Sequence, residues 1–202
     1  LLSQHDPELL GEFVSALTTN TTRFFRESTQ FEKLEALLPE LIERNISNQK
    51  HELRVWCAAC STGQEPYTLA MTLLQTLKKY PEMQLKILAT DIDPVAVQVA
   101  RQNSRNNGTA AHIKMATAAG FDNPAFDAFG KVDLVLANIL ARPLERLARP
   151  MSCHLAPGAN VILSGLLPHQ RSRIVNAYTK QGLVLERWSI RDEWLTILMK
   201  QP

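Results

Sequence analysis

The stretch Leu53-Arg54-Val55-Trp56-Cys57-Ala58-Ala59-Cys60-Ser61-Thr62-Gly63-Gln64-Glu65-Pro66-Tyr67 decides the fold. Residues 53–58 are a short apolar run with the length and composition of a buried strand. Small and polar residues follow, and Glu65-Pro66 then opens a helical pattern that reaches about residue 78. Going outward, the same rhythm recurs. Strands are predicted over 85–90, weakly over 112–115, and over 132–137 and 160–163. Helices are predicted over 94–106, about 143–154 and 168–180. Asn107-Gly108 stops the first of these, since glycine tolerates the left-handed turn past a helix end. Pro157-Gly158 is read as a turn into the last interior strand. Residues 183–188 and 194–199 close the chain as a hairpin joined by residues 189–193. Strands alternating with helices imply an α/β fold whose parallel sheet is covered on both faces.

The first fifty residues differ. Asp6 with Pro7 is a cap-and-first-turn pair for a helix to about Leu17. Phe31, Leu34, Leu38, Leu41 and Ile42 recur at helical spacing, with Ser28 or Thr29 placed to cap that helix. Residues 1–50 are thus read as a helical segment and residues 51–202 as the catalytic-type domain. The charge divides in the same way: the first fifty residues carry 5 Lys/Arg and 8 Asp/Glu, so they are net acidic, while the whole chain is +2. The basic remainder permits an acidic or nucleic-acid partner but presents no clear nucleic-acid site.

With 202 residues, 45% hydrophobic and 21% charged, the chain has an ordinary globular composition and can bury about 70% of its unfolded surface. Disordered and fibrous classes are excluded. No apolar run reaches the roughly 18 residues of a membrane span. Three cysteines, an odd number, point to a reducing compartment, and the expectation is a cytoplasmic protein. The five histidines show no metal-ligand spacing, so no metal is expected.

In an open α/β sheet the ligand lies at the carboxyl ends of the strands, so the loops after them hold the chemistry. After residue 58 the loop offers small residues, Gly63 and the free N–H groups of the next helix. After residue 90 comes Asp91-Ile92-Asp93-Pro94. Asp93 is explained as a helix cap before Pro94, whereas Asp91 has no such duty and suits a ribose diol, whose two hydroxyls a carboxylate can accept. Asn138 puts an amide at the end of the fourth interior strand, followed by Ile139. The loop glycines are few, but the set points to a nucleoside-type cofactor. Cys57 and Cys60 imitate a dithiol redox motif, yet a redox thiol belongs at a helix N-terminus and this helix starts later, which leaves a dithiol redox protein as a remote alternative; Cys153 reads as core. Arg142, Arg146 and Arg149 form one stripe of a helix, read as a solvated face.

Two resemblances follow from longer motifs. Thr18-Thr19-Asn20-Thr21-Thr22-Arg23-Phe24-Phe25-Arg26-Glu27, Arg54-Val55-Trp56, residues 61–67 and Ala89-Thr90-Asp91-Ile92-Asp93 resemble the chemotaxis-receptor methyltransferases (CheR) over about residues 13–100. Asp91-Ile92-Asp93-Pro94, Asn106-Asn107-Gly108, residues 133–141, Leu163-Ser164-Gly165 and Glu193-Trp194 are similar to the ribosomal-protein methyltransferases (PrmA) over about residues 91–202. The chain therefore looks like a chimera of two class I methyltransferases. The resemblance implies a Rossmann-like, seven-stranded, mostly parallel sheet with an antiparallel last strand, and S-adenosylmethionine (SAM) as cofactor. It assigns cofactor contacts to Asn20, Thr22, Arg26, Ala59, Gly63, Glu65, Asp91, Asn138 and Ile139. Glu65 would meet the ammonium of the methionine end, and Arg26 its carboxylate or Glu65 itself. Phe24-Phe25 would stack on the adenine or pin the N-terminal helices to the sheet. The implied acceptor is a protein side chain, a glutamate carboxylate or an amine, on a chemoreceptor-like or ribosomal protein. The substrate-recognition parts of both families are missing, so the alternative is a SAM-binding scaffold without efficient turnover.

Overall fold

The computed structural model describes residues 28–202. The elements are α1 (Ser28–Ser47), β1 (Glu52–Ala58), α2 (Gln64–Leu77), β2 (Gln84–Asp91), α3 (Pro94–Asn106), β3 (Ile113–Thr117) and α4 (Ala125–Phe129). They continue with β4 (Val132–Asn138), α5 (Ala141–His154), β5 (Leu155–Leu166), a 3-10 turn (Pro168–Gln170), α6 (Arg171–Thr179), β6 (Val184–Arg191) and β7 (Trp194–Lys200). All seven strands join one sheet in the order β3-β2-β1-β4-β5-β7-β6. Strands β1 to β5 pair in parallel, and β7 lies antiparallel between β5 and β6. This is the layout expected. Strand order reverses between β1 and β4, whose ends meet at Ala58 opposite Ala137, so the crevice that binds ligands in such sheets opens there.

Alternate side chains of the central strands serve two separate cores. On one face, Leu53, Val55 and Cys57 of β1 meet Leu34, Leu38 and Leu41 of α1, Leu69 and Leu73 of α2, and Val97 and Ala100 of α3. On the other, Trp56 and Ala58 meet Phe126 of α4, Leu144 and Ala148 of α5, and Ile174 and Tyr178 of α6. The period-two alternation of a strand requires this division. α1 keeps its helical course through Pro39. A proline inside a helix costs about 3 kcal/mol through its missing donor and ring clash, and the buried stripe from Phe31 to Ile42 offsets that cost.

Several boundaries differ from expectation. Ser28 and Thr29, expected to precede α1 as its cap, fall within its first turn. β5 begins at Leu155, so Pro157-Gly158 does not precede the strand; it sits within it, where the register with β4 shifts between Val132 and Leu134. A bulge absorbs a proline that a regular ladder could not. α5 begins at Ala141, two residues before Pro143, because the first-turn N–H groups have no helical partner to lose. The short α4 gave no periodic signal. Residues 168–170 form a 3-10 turn before α6. The hairpin turn is only Asp192-Glu193, with φ of 48° and 67°, the positive pair that a two-residue hairpin requires. Cys153, expected in the core, is exposed on α5. The helix expected over residues 7–17 lies outside the described residues.

Candidate functional site

The loop between β1 and α2 follows a backbone path that glycines would normally take. Ala59, Ser61 and Gly63 have φ of 56°, 47° and 104°. Only the last is a glycine, and a Cβ at Gly63 would run into the Tyr67 ring. Alternate left-handed residues curl the loop tightly, and its N–H groups are taken up within the protein, that of Gly63 by Cys60 O at 2.9 Å. Two non-glycine residues hold that shape at about 1–2 kcal/mol each, so the surroundings must impose it. Cys60 N–H donates to Thr90 O at 2.9 Å and Ser61 N–H to Asp91 Oδ2 at 2.8 Å. Asn103 Nδ2 of α3 donates to Thr62 O at 3.1 Å.

Asp91 therefore does more than wait for a ligand. Its Oδ1 accepts the Asp93 N–H at 3.0 Å while Oδ2 holds Ser61. Each oxygen keeps a further lone pair, so the carboxylate can still accept two hydroxyls. Asp93 caps α3 by accepting from Val95 N–H at 2.8 Å, as its position before Pro94 implied.

Glu65, in the first turn of α2, stands where four elements converge. Its Oε2 accepts from Gln30 Nε2 of α1 at 3.1 Å and from Asn138 Nδ2 of β4 at 3.4 Å. Its Oε1 accepts from Cys57 Sγ of β1 at 3.3 Å. Gln30 Oε1 in turn accepts the Ser164 hydroxyl of β5 at 2.6 Å. Gly165, at φ 74°, makes room for Asn138, because a Cβ there would stand 2.7 Å from Asn138 Oδ1. Ile139 follows as a partly buried residue against the second core.

The setting of the two thiols disfavours redox chemistry. Burial, the nearby Glu65 carboxylate and Cys60 push Cys57 up, and burial and Asp91 push Cys60 up to about 12. A dithiol enzyme needs a thiolate near neutral pH, and acidic neighbours oppose one. Cys57 instead remains a neutral hydrogen-bond donor.

Of the expected site residues, Ala59, Gly63, Glu65, Asp91, Asn138 and Ile139 all lie at the carboxyl edge of the sheet. Asn20, Thr22, Arg26 and Phe24-Phe25 lie outside the described residues. The sequence reading missed Gln30 and Ser164. Leu163-Ser164-Gly165 was visible as a motif, but Gln30 lies on a helix and carried no signal of its own. Among the described residues no cluster of His, Cys, Asp and Glu could hold a metal ion, and no helix is long and apolar enough to cross a membrane. Arg142, Arg146 and Arg149 are exposed along α5.

A family model of the CheR methyltransferase, SAM binding domain, matches residues 20–134, and one of ribosomal protein L11 methyltransferase (PrmA) matches residues 83–202. Similar curated proteins include ribosomal protein L11 methyltransferases of Rhizobium rhizogenes, 48% identical over 58% of this chain, and of Chelativorans sp., 50% identical over 58%. The matches span 40% of each of those relatives. In fold, the chain is similar to the ribosomal protein L11 methylase of Lactobacillus delbrueckii subsp. bulgaricus (TM-score 0.57, 24% identity, 82% of this chain and 78% of that one). It is also similar to an RNA methyltransferase of Salinibacter ruber in complex with S-adenosyl-L-homocysteine (TM-score 0.52, 12% identity, 83% and 91%). Each family model covers more than half of the sequence, and the chain accordingly belongs to the SAM-binding methyltransferases, to the CheR family over residues 20–134 and to the PrmA family over residues 83–202.

Proposed function

We propose that the chain binds SAM across the carboxyl ends of β1, β2 and β4 and transfers its methyl group to a protein side chain. The observation that carries this reading is the pair of carboxylates beside the strand switch point, Asp91 at the end of β2 and Glu65 in the first turn of α2, with a loop built on left-handed residues 59, 61 and 63 before that helix. Asp91 would accept the ribose hydroxyls and Glu65 the ammonium of the methionine end. The backbone of Ala59 to Gly63 would approach the cofactor closely, with Asn138 and Ile139 on its other side. By resemblance, Asn20, Thr22 and Arg26 would complete the site, residues 1–50 acting as a helical segment over the domain of residues 51–202. When bound, SAM supplies an electrophilic methyl on a sulfonium, and the protein's task is to align the acceptor in line with it. No acid–base dyad is needed for that alignment.

The same reading takes the chain as a join of two lineages, with a glutamate carboxylate or an amine as acceptor on a chemoreceptor-like or ribosomal protein. A second reading, a SAM-binding scaffold with little turnover, is favoured by one observation. Residues 118–131, between β3 and β4, hold only α4, and the receptor-docking subdomain of CheR-like enzymes does not fit there. Calorimetry with S-adenosylhomocysteine tests cofactor binding, with 1:1 binding expected. A tritiated-methyl assay over chemoreceptor and L11 substrates then separates the readings. Label on either substrate supports the enzyme, and binding without label supports the scaffold.

A further inference from the structure

We propose that Gln30, oriented by Ser164, aims the Glu65 carboxylate at a ligand ammonium, so that the site selects a cofactor carrying an amino-acid end over the bare nucleoside thioether. This rests on the SAM reading above.

Gln30 and Ser164 are 1% and 0% exposed, and a buried amide or hydroxyl persists only with its partners satisfied. The Ser164 hydroxyl donates to Gln30 Oε1, which leaves the NH₂ end of the same amide to face Glu65 Oε2. An amide is the right donor for this task. It occupies one lone pair of the carboxylate and fixes its plane without neutralising its charge. Cys57 acts alike on the other oxygen, because its thiol is held protonated by burial. These two donors, with Asn138 Nδ2 at 3.4 Å from Oε2, orient the Glu65 carboxylate and bring no positive charge of their own. Gln30 and Glu65 belong to the part matched only by the CheR model, and Ser164 and Asn138 to the part matched only by the PrmA model. Neither part contains the whole chain of contacts. Gln30 is a positioning residue; it acts through Glu65.

The test measures affinities for S-adenosylhomocysteine and for 5′-methylthioadenosine, the same nucleoside thioether without the amino-acid end. Gln30→Met, close in shape, should weaken the first by about tenfold or more, the loss expected for a hydrogen bond to a charged group, and leave the second within about twofold. Ser164→Ala should weaken S-adenosylhomocysteine severalfold in the native background and have no further effect when combined with Gln30→Met. Thermal unfolding of each free variant checks that the fold persists. Equal losses for both ligands, additive losses in the double variant, or unchanged affinities would overturn the proposal. If the unaltered chain binds neither ligand, the SAM reading itself falls and takes this inference with it.

Discussion

The two faces of the sheet are built differently. The face under α1, α2 and α3 contains buried polar groups among its apolar ones: Gln30, Asn45, Thr68 and Ser164 are each at most 1% exposed. The face under α4, α5 and α6 is braced by aromatic rings. Trp56 stands 4.4 Å from Phe121 and 5.4 Å from Phe126, and Phe121 stacks on His154 at 4.5 Å. The polar groups there are few and locally satisfied, as in Trp56 Nε1 donating to Thr90 Oγ1 at 3.0 Å and Tyr178 OH donating to Leu144 O at 3.1 Å. The first face carries the candidate site and the second supplies rigidity beneath it. This division follows the family matches. α1 and α2 fall where only the CheR model matches, and α5 and α6 where only the PrmA model does. A join of two lineages would leave the second core nearly uniform, with Trp56 and Ala58 as its contributions from β1. The mixed contacts would then lie on the first face, where Leu34 and Leu73 share a core with Leu136, Ile162 and Leu198.

The largest expected effect tests the brace. Trp56→Ala removes the largest ring of the aromatic group and should cost about 3–5 kcal/mol of unfolding free energy, read by urea denaturation. Cofactor affinity of the protein that stays folded should change little. A comparable collapse of affinity would show that the two faces do not divide the work.

Asp91→Ala should weaken S-adenosylhomocysteine binding by about 1.5–3 kcal/mol, measured calorimetrically. Because Asp91 also holds the Ser61 and Asp93 N–H groups, the free protein should lose stability as well, by about 1 kcal/mol for such bonds. Loss of stability without loss of affinity would make Asp91 a loop anchor alone.

Ala59→Gly relieves a left-handed alanine. The gain of about 1–2 kcal/mol is reduced by the extra freedom of glycine in the unfolded chain, about 0.5–1 kcal/mol. The net expectation is a protein more stable by up to about 1 kcal/mol, seen as a higher urea midpoint with unchanged cofactor affinity. A destabilised variant would mean that the Ala59 side chain itself makes a needed contact.

The smallest effect concerns the ion pairs that tie α1 to the far strands, Glu40 with Lys200 at 2.9 Å and Glu32 with Arg191 at 2.6 Å. The hydrogen bond and charge of Lys200 lower the Glu40 carboxyl, and Glu40 in turn raises Lys200. A lowered carboxyl adds stability that is fully present above its ordinary range and is lost as pH falls through its folded value. A raised ammonium adds stability that is present below its ordinary value and lost only as pH rises through its higher folded one. The pair therefore acts between those limits. Solvent screens it, so Glu40→Gln should cost only about 0.5 kcal/mol at neutral pH, and the difference from the unaltered protein should fall away as the pH drops below the ordinary carboxylate range.

Local signals determined much of this protein. The strand–loop–helix rhythm from Leu53 onward follows from residue size and period, and those are properties of neighbours in the chain. The same is true of Asp93 before Pro94 and of Gly108 after α3, since caps and left-handed stops act within one turn of helix. Asp91 and Asn138 were legible because the end of a strand is a place that sequence can mark. Tertiary structure alone decided the rest. Pro157-Gly158 reads as a turn locally, yet pairing with β4 draws it into a bulged strand. Ala59 and Ser61 adopt glycine-like angles that their side chains disfavour, because Thr90, Asp91 and Asn103 hold the loop. Gln30 and Ser164 are 134 positions apart. No local preference can report their hydrogen bond, because it exists only once α1 has packed against β5.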